Sequence, residues 1–393
     1  RGPWSIGGQT PETVALRHAY SASSPWRMTT PAVFDFLIRK GALHETRVAA
    51  ATDPQKVDLK PGQILATVDR FAFTANNITY AVFGDVMQYW DFYPAPEGWG
   101  RIPVWGFADV ARSNHPDISN GERLFGYWPM STWTVLEPAQ VTAANFHDAS
   151  VHRQHLHALY NSYTRTASDP GYDPKGEDLQ MLLRVLFLTS YLIDDFLADN
   201  GFFGAKSVLI ASASSKTALS LAHCLHSNRR GQVEVVGLTS PSNATFVASL
   251  GCYDKVVLYD ELTSLPIEAT VFVDMAGNGD VVSRVHHHFA ESLKHSCVVG
   301  GTHWDRIAMG QELPGVQPTL FFAPAQIAKR QQDWGAQGFQ QRSGKAWLDF
   351  VARASNWIRI VHGHGLADIE RIYQDTLAGR TKPNEGHVLS PTA

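Results

Sequence analysis

Lys206 to Leu225 reads KSVLIASASSKTALSLAHCL. Val208, Leu209 and Ile210 make a short apolar strand. After it, Ala218, Leu221, Ala222 and Leu225 recur at the i, i+3, i+4, i+7 spacing of one helix face. A strand, tight turn and helix in this order open a dinucleotide-binding unit. Such turns usually carry glycines, yet Ser212-Ala213-Ser214-Ser215-Lys216 contains none. A phosphate at a helix N-terminus is held mostly by backbone N–H groups and the helix dipole, which any residue supplies. Small Ser and Ala can therefore stand in for Gly, provided φ stays negative. Ser212 opens the turn, and Ser214, Ser215 and Thr217 add hydroxyl donors suited to phosphate oxygens. The dipole disfavours a cation in the first helical turn, so Lys216 there points to a bound anion. The competing reading has Lys216 in solvent and the turn as a relic that binds nothing.

The end of the next strand, GLTSPSNATF, offers Thr239, Ser240 and Asn243 but no acid. A carboxylate there would serve ribose hydroxyls and repel a 2′-phosphate. Its replacement by hydroxyls and an amide favours NADP(H) over NAD(H).

These residues need a scaffold. The chain has 393 residues, 44% of them hydrophobic and 18% charged, enough for two globular domains. A net charge of −4 gives no reason to expect nucleic acid or an anionic membrane surface. No apolar run approaches the roughly 20 residues of a membrane span, and RGPWSIGGQT lacks the apolar core of a secretory signal. Three scattered cysteines (Cys224, Cys252, Cys297) argue for a reducing, cytoplasmic setting.

Residues 1–27, rich in Ser, Pro and Gly, read as a surface arm. ETRVAAA, QILATVDRFAF and IPVWGFADVARS read as strands between Pro and Gly turns, with two more around Asn120-Gly121 and Gly126. LQMLLRVLFLTSYLIDDFLADN reads as a long helix stopped at Asn200-Gly201. Strands are then expected at Ser207–Ala211, Val233–Thr239, Lys255–Tyr259, Thr270–Asp274 and Ser296–Gly300, with helices between most of them. That alternation makes a parallel sheet. The tail is a helix closed by Gly379 and a last strand. The expected architecture is α/β: a doubly wound, Rossmann-like domain (177–323) inserted in a β-rich domain (28–176 and 324–393), which the resemblance given next implies is GroES-like.

From about residue 45 onward the chain resembles the medium-chain dehydrogenase/reductase superfamily, nearest its zinc-free quinone oxidoreductase and enoyl reductase branch, in a subfamily whose glycine motif is replaced by a serine-rich turn. The stretches that carry the resemblance are VDRFAFTANNITY, IPVWGFADV, NGERLFGYWPMSTWTVLEP, LTSYLIDDF, the serine turn, FVDMAGN, VVGGTHW and LAGRTKPNEGHVLSP. The resemblance implies that Tyr259, with the Thr239–Asn243 segment, holds the 2′-phosphate. A lysine often present in the branch is Asn243 here. It also places Met275, Gly300 and Thr302 along the cofactor.

In the zinc-dependent members a Cys and a His stand where this chain has Thr74 and the non-histidine residues after Gly106, and three cysteines cannot build a four-cysteine lobe. No metal is expected. The histidine groups His152/His155/His157, His286–His288 and His362/His364 read as surface or core residues, the second on a surface helix and the third in a loop.

The resemblance further implies that the segment of Thr74, Asn76, Asn77 and Tyr80 faces the nicotinamide. A phenol can hydrogen-bond a developing enolate, so Tyr80 and Asn77 are the catalytic candidates. Tyr89, Trp90 and Tyr191 are candidate pocket walls. The expected activity is NADPH-dependent reduction of an activated C=C or C=O in a small molecule. The rivals are a retro-aldol or other lyase step on the same fold, and a non-catalytic binding protein. A homodimer is expected through late-strand edges around CVVGGTHW.

Overall fold

The computed structural model describes residues 33–169, 171–301 and 312–392; the arm expected over 1–27 lies outside them. The strands that precede the long central helix are β1 (Phe34–Arg39), β2 (Thr46–Ala50), β3 (Ile64–Phe73), β4 (Trp99–Gly100), β5 (Pro103–Ser113), β6 (Arg123–Pro129), β7 (Trp133–Leu136), β8 (Pro138–Ala139), β9 (Asn145–Asp148) and β10 (Ser162–Arg165). Helix α1 (Ala75–Val82) leaves β3 directly. Strands β2, β1 and β4 form a small antiparallel sheet, while β3, β5, β6, β10, β9 and β8 follow one another in a larger one. Aromatic and β-branched residues recur along the longer of these strands, such as β3 and β6, a composition that suits a pleated, half-buried surface.

Helix α2 (Glu177–Asp199) crosses next. Its first residue is tied to the β-rich sheet by Arg123, whose guanidinium donates to Glu177 at 2.5 and 2.6 Å and to Asp69 at 2.7 Å. The chain then alternates: β11 (Ser207–Ala211), α3 (Lys216–Asn228), β12 (Glu234–Thr239), α4 (Pro241–Ser249), β13 (Lys255–Leu258), β14 (Thr270–Asp274), α5 (Gly279–Phe289), β15 (Leu293–Val298) and β16 (Thr319–Leu320). All five pairings in the order β13-β12-β11-β14-β15-β16 are parallel.

Val208 and Ile210 of β11 pack in the core shared with α2 and α3, while Leu209 and Ala211 pack in the core on the opposite face. Both faces are covered. That explains why these strands read as unbroken apolar runs.

The chain continues through α6 (Ala323–Ala354), broken at Gly335 (φ +73), then β17 (Arg359–His364), α7 (Gly365–Leu377) and β18 (Glu385–Ser390). Strand β18 pairs antiparallel with β3 and parallel with β17, so the tail closes the β-rich sheet that the chain left at α2. The sequence reading had missed α6 and β17. Gly335, Gly338 and Gly344 interrupt the apolar pattern of α6.

Three expectations are corrected here. His286 is fully buried rather than on the surface, with Nε2 2.9 Å from Ser296 Oγ and Nδ1 3.1 Å from Pro314 O. His362 and His364 belong to β17, not to a loop, and His362 Nε2 lies 2.8 Å from Asp178. Strand β15 (Leu293–Val298), which holds Cys297 and Val298 of CVVG, is not the sheet edge, because β16 pairs alongside it. Among the described residues no helix is long and apolar enough to cross a membrane.

Candidate active site

A cleft of about 1260 Å³ opens at the C-terminal ends of β11, β12, β14 and β15 and reaches the corner where β3 becomes α1. That end of a parallel sheet is where ligands bind in open α/β folds. One wall carries Ser212, Ser214, Ser215, Lys216, Thr217, Thr239, Ser240, Asn243, Tyr259, Met275 and Gly300. Thr74, Asn76, Tyr80 and Tyr89 line the other part. Thr302 lies outside the described residues.

The serine turn is pinned from several sides. Tyr259 Oη accepts the Ser212 N–H at 3.1 Å, Asn243 Nδ2 donates to Ser214 Oγ at 3.0 Å, and Tyr253 Oη donates to the Ala213 carbonyl at 2.8 Å. Ser215 is the N-cap of α3 and accepts the Ala218 N–H at 3.3 Å. Among the described residues, nothing accepts from the N–H groups of Ser214, Lys216 and Thr217. These are the donors a helix start leaves open for an anion.

The turn departs from expectation at Ser212, whose φ is +53. A non-glycine residue in the left-handed region costs about 1–2 kcal/mol. Ser212→Gly is therefore expected to raise stability by about 0.5–1 kcal/mol, read as a higher denaturant midpoint. A lower midpoint would mean that the weak contact of Ser212 Oγ with Tyr259 (3.3 Å) outweighs the backbone strain.

Lys216 also differs from a solvated first-turn lysine. It is half-buried on the cleft wall, and loss of hydration brings its ammonium down to about 8, with Glu385 opposing the shift. Glu385 and His387 stand on β18, across the cleft in the β-rich sheet. His387 is buried, and neither ring nitrogen has a hydrogen-bond partner among the described residues. Burial, with Lys216 nearby, holds its imidazole below the usual value, so it is neutral.

Thr74 caps α1, and Tyr80 is the buried aromatic of its last turn. Trp105 Nε1 donates to the Tyr80 hydroxyl at 3.2 Å, which leaves the phenol proton to be given elsewhere. Burial pushes this phenol well above its ordinary value, so it is a donor at neutral pH. Tyr89 and Tyr160 complete an aromatic nest, with ring centroids 4.7 and 6.3 Å from that of Tyr80. Gly300 owes its place to close approach: a Cβ there would lie 2.4 Å from the Met275 carbonyl oxygen.

Three candidates lie away from this cleft wall. Asn77 is 4% exposed and off the cleft wall; its side chain accepts from the Thr74 N–H at 2.8 Å and donates to Pro103 O at 3.2 Å, so it secures the start of α1. Trp90 is buried in the β-rich core, with Gly84 and Gly100 against its ring, and does not line the cleft. Tyr191 faces a separate groove with His223 and Trp334, between α2, α3 and α6.

The sequence reading overlooked Thr79, whose hydroxyl accepts the Gly301 N–H at 3.3 Å, and Tyr160, Asp274, Glu385 and His387. Tyr160 sits in VHRQHLHALY, a stretch inspected for its histidines. That stretch forms two short 3-10 turns rather than a helix.

Comparison with known proteins bears on this geometry. Residues 71–382 match a family described as proteins of unknown function (DUF2855). The chain belongs to DUF2855. No curated protein matches it. Among solved structures, this DUF2855 chain is similar to CurA of Vibrio vulnificus in complex with NADPH, at 11% identity and a TM-score of 0.59 over 92% of this chain and 99% of that one. It is similar to YhdH of Escherichia coli K-12 with bound NADPH at 15% identity and a TM-score of 0.51, covering 91% and 100%. It is also similar to the yhdH oxidoreductase of Salmonella enterica in complex with NADP, at 14% identity and a TM-score of 0.50, covering 91% and 99%. The DUF2855 chain thus has the medium-chain dehydrogenase/reductase fold, a Rossmann-like sheet set into a GroES-like β-rich part, as its sequence motifs implied.

Proposed function

We propose that the protein is a zinc-independent, NADPH-dependent reductase of an activated C=C or C=O in an enone- or quinone-like small molecule. The observation that carries this reading is the meeting, in one cleft, of the open N–H groups of the serine turn and the donor phenol of Tyr80. Structures of the same fold hold NADPH or NADP. When bound, NADPH supplies hydride.

Ser212, Ser214, Ser215, Lys216 and Thr217 receive the pyrophosphate, Lys216 adding its charge. Thr239, Ser240, Asn243 and Tyr259 receive the adenosine end with its 2′-phosphate, and Met275 and Gly300 border the nicotinamide end. Tyr80 donates a hydrogen bond to the substrate oxygen as it gains negative charge. In this proposal residues 177–323 form the nucleotide-binding domain and the flanking segments the catalytic one. The protein acts in the cytoplasm as a homodimer.

Fluorescence titration with NADPH and NADH tests it: NADPH is expected to bind more tightly, and Ser240→Asp to reverse the order, because a carboxylate repels the 2′-phosphate. Equal affinities in the parent protein would remove the NADPH assignment, and no binding of either would remove the reductase.

A second reading is favoured by the Lys216 amine, brought down to about 8 in the cleft. A desolvated lysine of this kind is suited to attack a carbonyl and form a Schiff base, one of the routes by which a retro-aldol lyase stabilises its carbanion. Borohydride trapping of a ketone on Lys216 would decide for it.

A further inference from the structure

The large hydrophobic side chains exposed among the described residues are Val86, Val151, Ile267, Leu320, Phe322 and Leu348. Three of these six line the cleft that holds Tyr80: Val86 (74% exposed) beyond α1, and Leu320 (50%) and Phe322 (44%) around β16. Isolated surface apolar residues are ordinary, but a rim of them continuous with a binding cleft marks apolar recognition. Phe83, Met87 and Phe321 also line the cleft, and they pack against the same core as the Tyr80–Tyr89–Tyr160 nest. The charged side chains of the cleft, Lys216, Asp274, Arg380, Lys382 and Glu385, come from α3, from the end of β14, from the segment between α7 and β18, and from the start of β18.

We propose that the substrate is amphipathic: its polar reacting head lies at Tyr80, and an unbranched apolar tail leaves the cleft between Val86 and the Leu320–Phe322 lip. This rests on the reductase reading for the position of the head. The tail itself needs only apolar complementarity. A small enone would leave the rim wet, whereas a tail of several methylenes covers it and loses its own hydration.

The test uses saturated 2-alkanones from pentanone to dodecanone, which cannot be reduced at C=C, with binding to the full chain measured by calorimetry in the presence and absence of NADPH. Affinity is expected to rise about two- to fourfold per added methylene, fourfold being the value for full burial. The rise should level off once the tail clears the lips. In Val86→Ser and in the Leu320→Ser/Phe322→Ser double variant, the gain per methylene should fall below about twofold. These side chains are exposed, so an unchanged melting temperature confirms that each variant folds.

Affinity independent of chain length would overturn the proposal. So would a chain-length gain that both variants retain, which would place the tail elsewhere. The ketone series is read apart from cofactor binding: if NADPH fails to bind but the chain-length gain and its loss at the lips are seen, the reductase reading falls and the tail site stands.

Discussion

Tyr80→Phe is expected to lower the NADPH-dependent turnover of a test enone such as 3-decen-2-one by about 10²–10³-fold, the range that loss of one hydrogen-bond donor to a developing oxyanion costs. The argument is local. The hydroxyl is buried, its phenol is held well above the ordinary value, and Trp105 donates to it at 3.2 Å. The oxygen is thus fixed in place while its own proton remains free for the substrate. NADPH affinity should hold, because Tyr80 and the serine turn belong to different parts of the cleft wall. The Trp105 N–H loses its acceptor, so stability is expected to fall by about 1–3 kcal/mol, seen as a lower denaturant midpoint. A Phe variant with parental kcat would take the donor role away from Tyr80, even if the midpoint drops as expected.

Lys216→Ala is expected to weaken NADPH roughly ten- to a hundredfold. A charge-assisted contact contributes about 1.5–3 kcal/mol, and each 1.4 kcal/mol is about tenfold. The half-buried position adds a pH signature. Desolvation leaves the free amine titrating at about 8, and a bound phosphate favours the ammonium. Above about pH 8 the free protein must take up a proton to bind, so affinity should fall by up to tenfold per pH unit; the Ala variant should lack that slope.

Stability runs the other way. Between about 8 and the ordinary lysine value the unfolded chain holds more protons than the folded one, so the parent gains stability as pH rises through that window. At neutral pH the Ala variant, freed of a desolvated cation and with a better helix former, is expected to melt slightly higher. Parental affinity with a flat pH profile in both proteins would return the turn to the status of a relic.

The parallel-sheet half was legible in the sequence because its strands are buried on both faces. Such strands must be short and continuously apolar, and helices with one apolar face must lie between them; Ser207–Ala211 and Thr270–Asp274 come out as read. The long α2 and the helix–strand tail, α7 and β18, were visible for similar reasons. Small hydroxyl residues and a cation at a helix start mark a candidate anion site by local chemistry alone, and the serine turn that carries them lies on the cleft wall. Its backbone was not legible. The positive φ of Ser212 is imposed by tertiary contacts, notably the Tyr259 hydroxyl on its N–H.

Tertiary structure alone decided which aromatic residues meet the cleft. Tyr89 and Trp90 are neighbours in a four-residue 3-10 turn, too short to show a period, and one faces the cleft while the other fills the β-rich core. Asn77 and Asn76 divide in the same way, because the Thr74 N–H and the Pro103 carbonyl engage one of them. His387 is the extreme case. Nothing near it in EGHVL marks it, and it reaches the side of Lys216 only because β18 returns to pair with β3. Local pattern sets which segments become helix or strand. The meeting of side chains from distant strands is set by how those segments pair and pack, and chain spacing does not encode that.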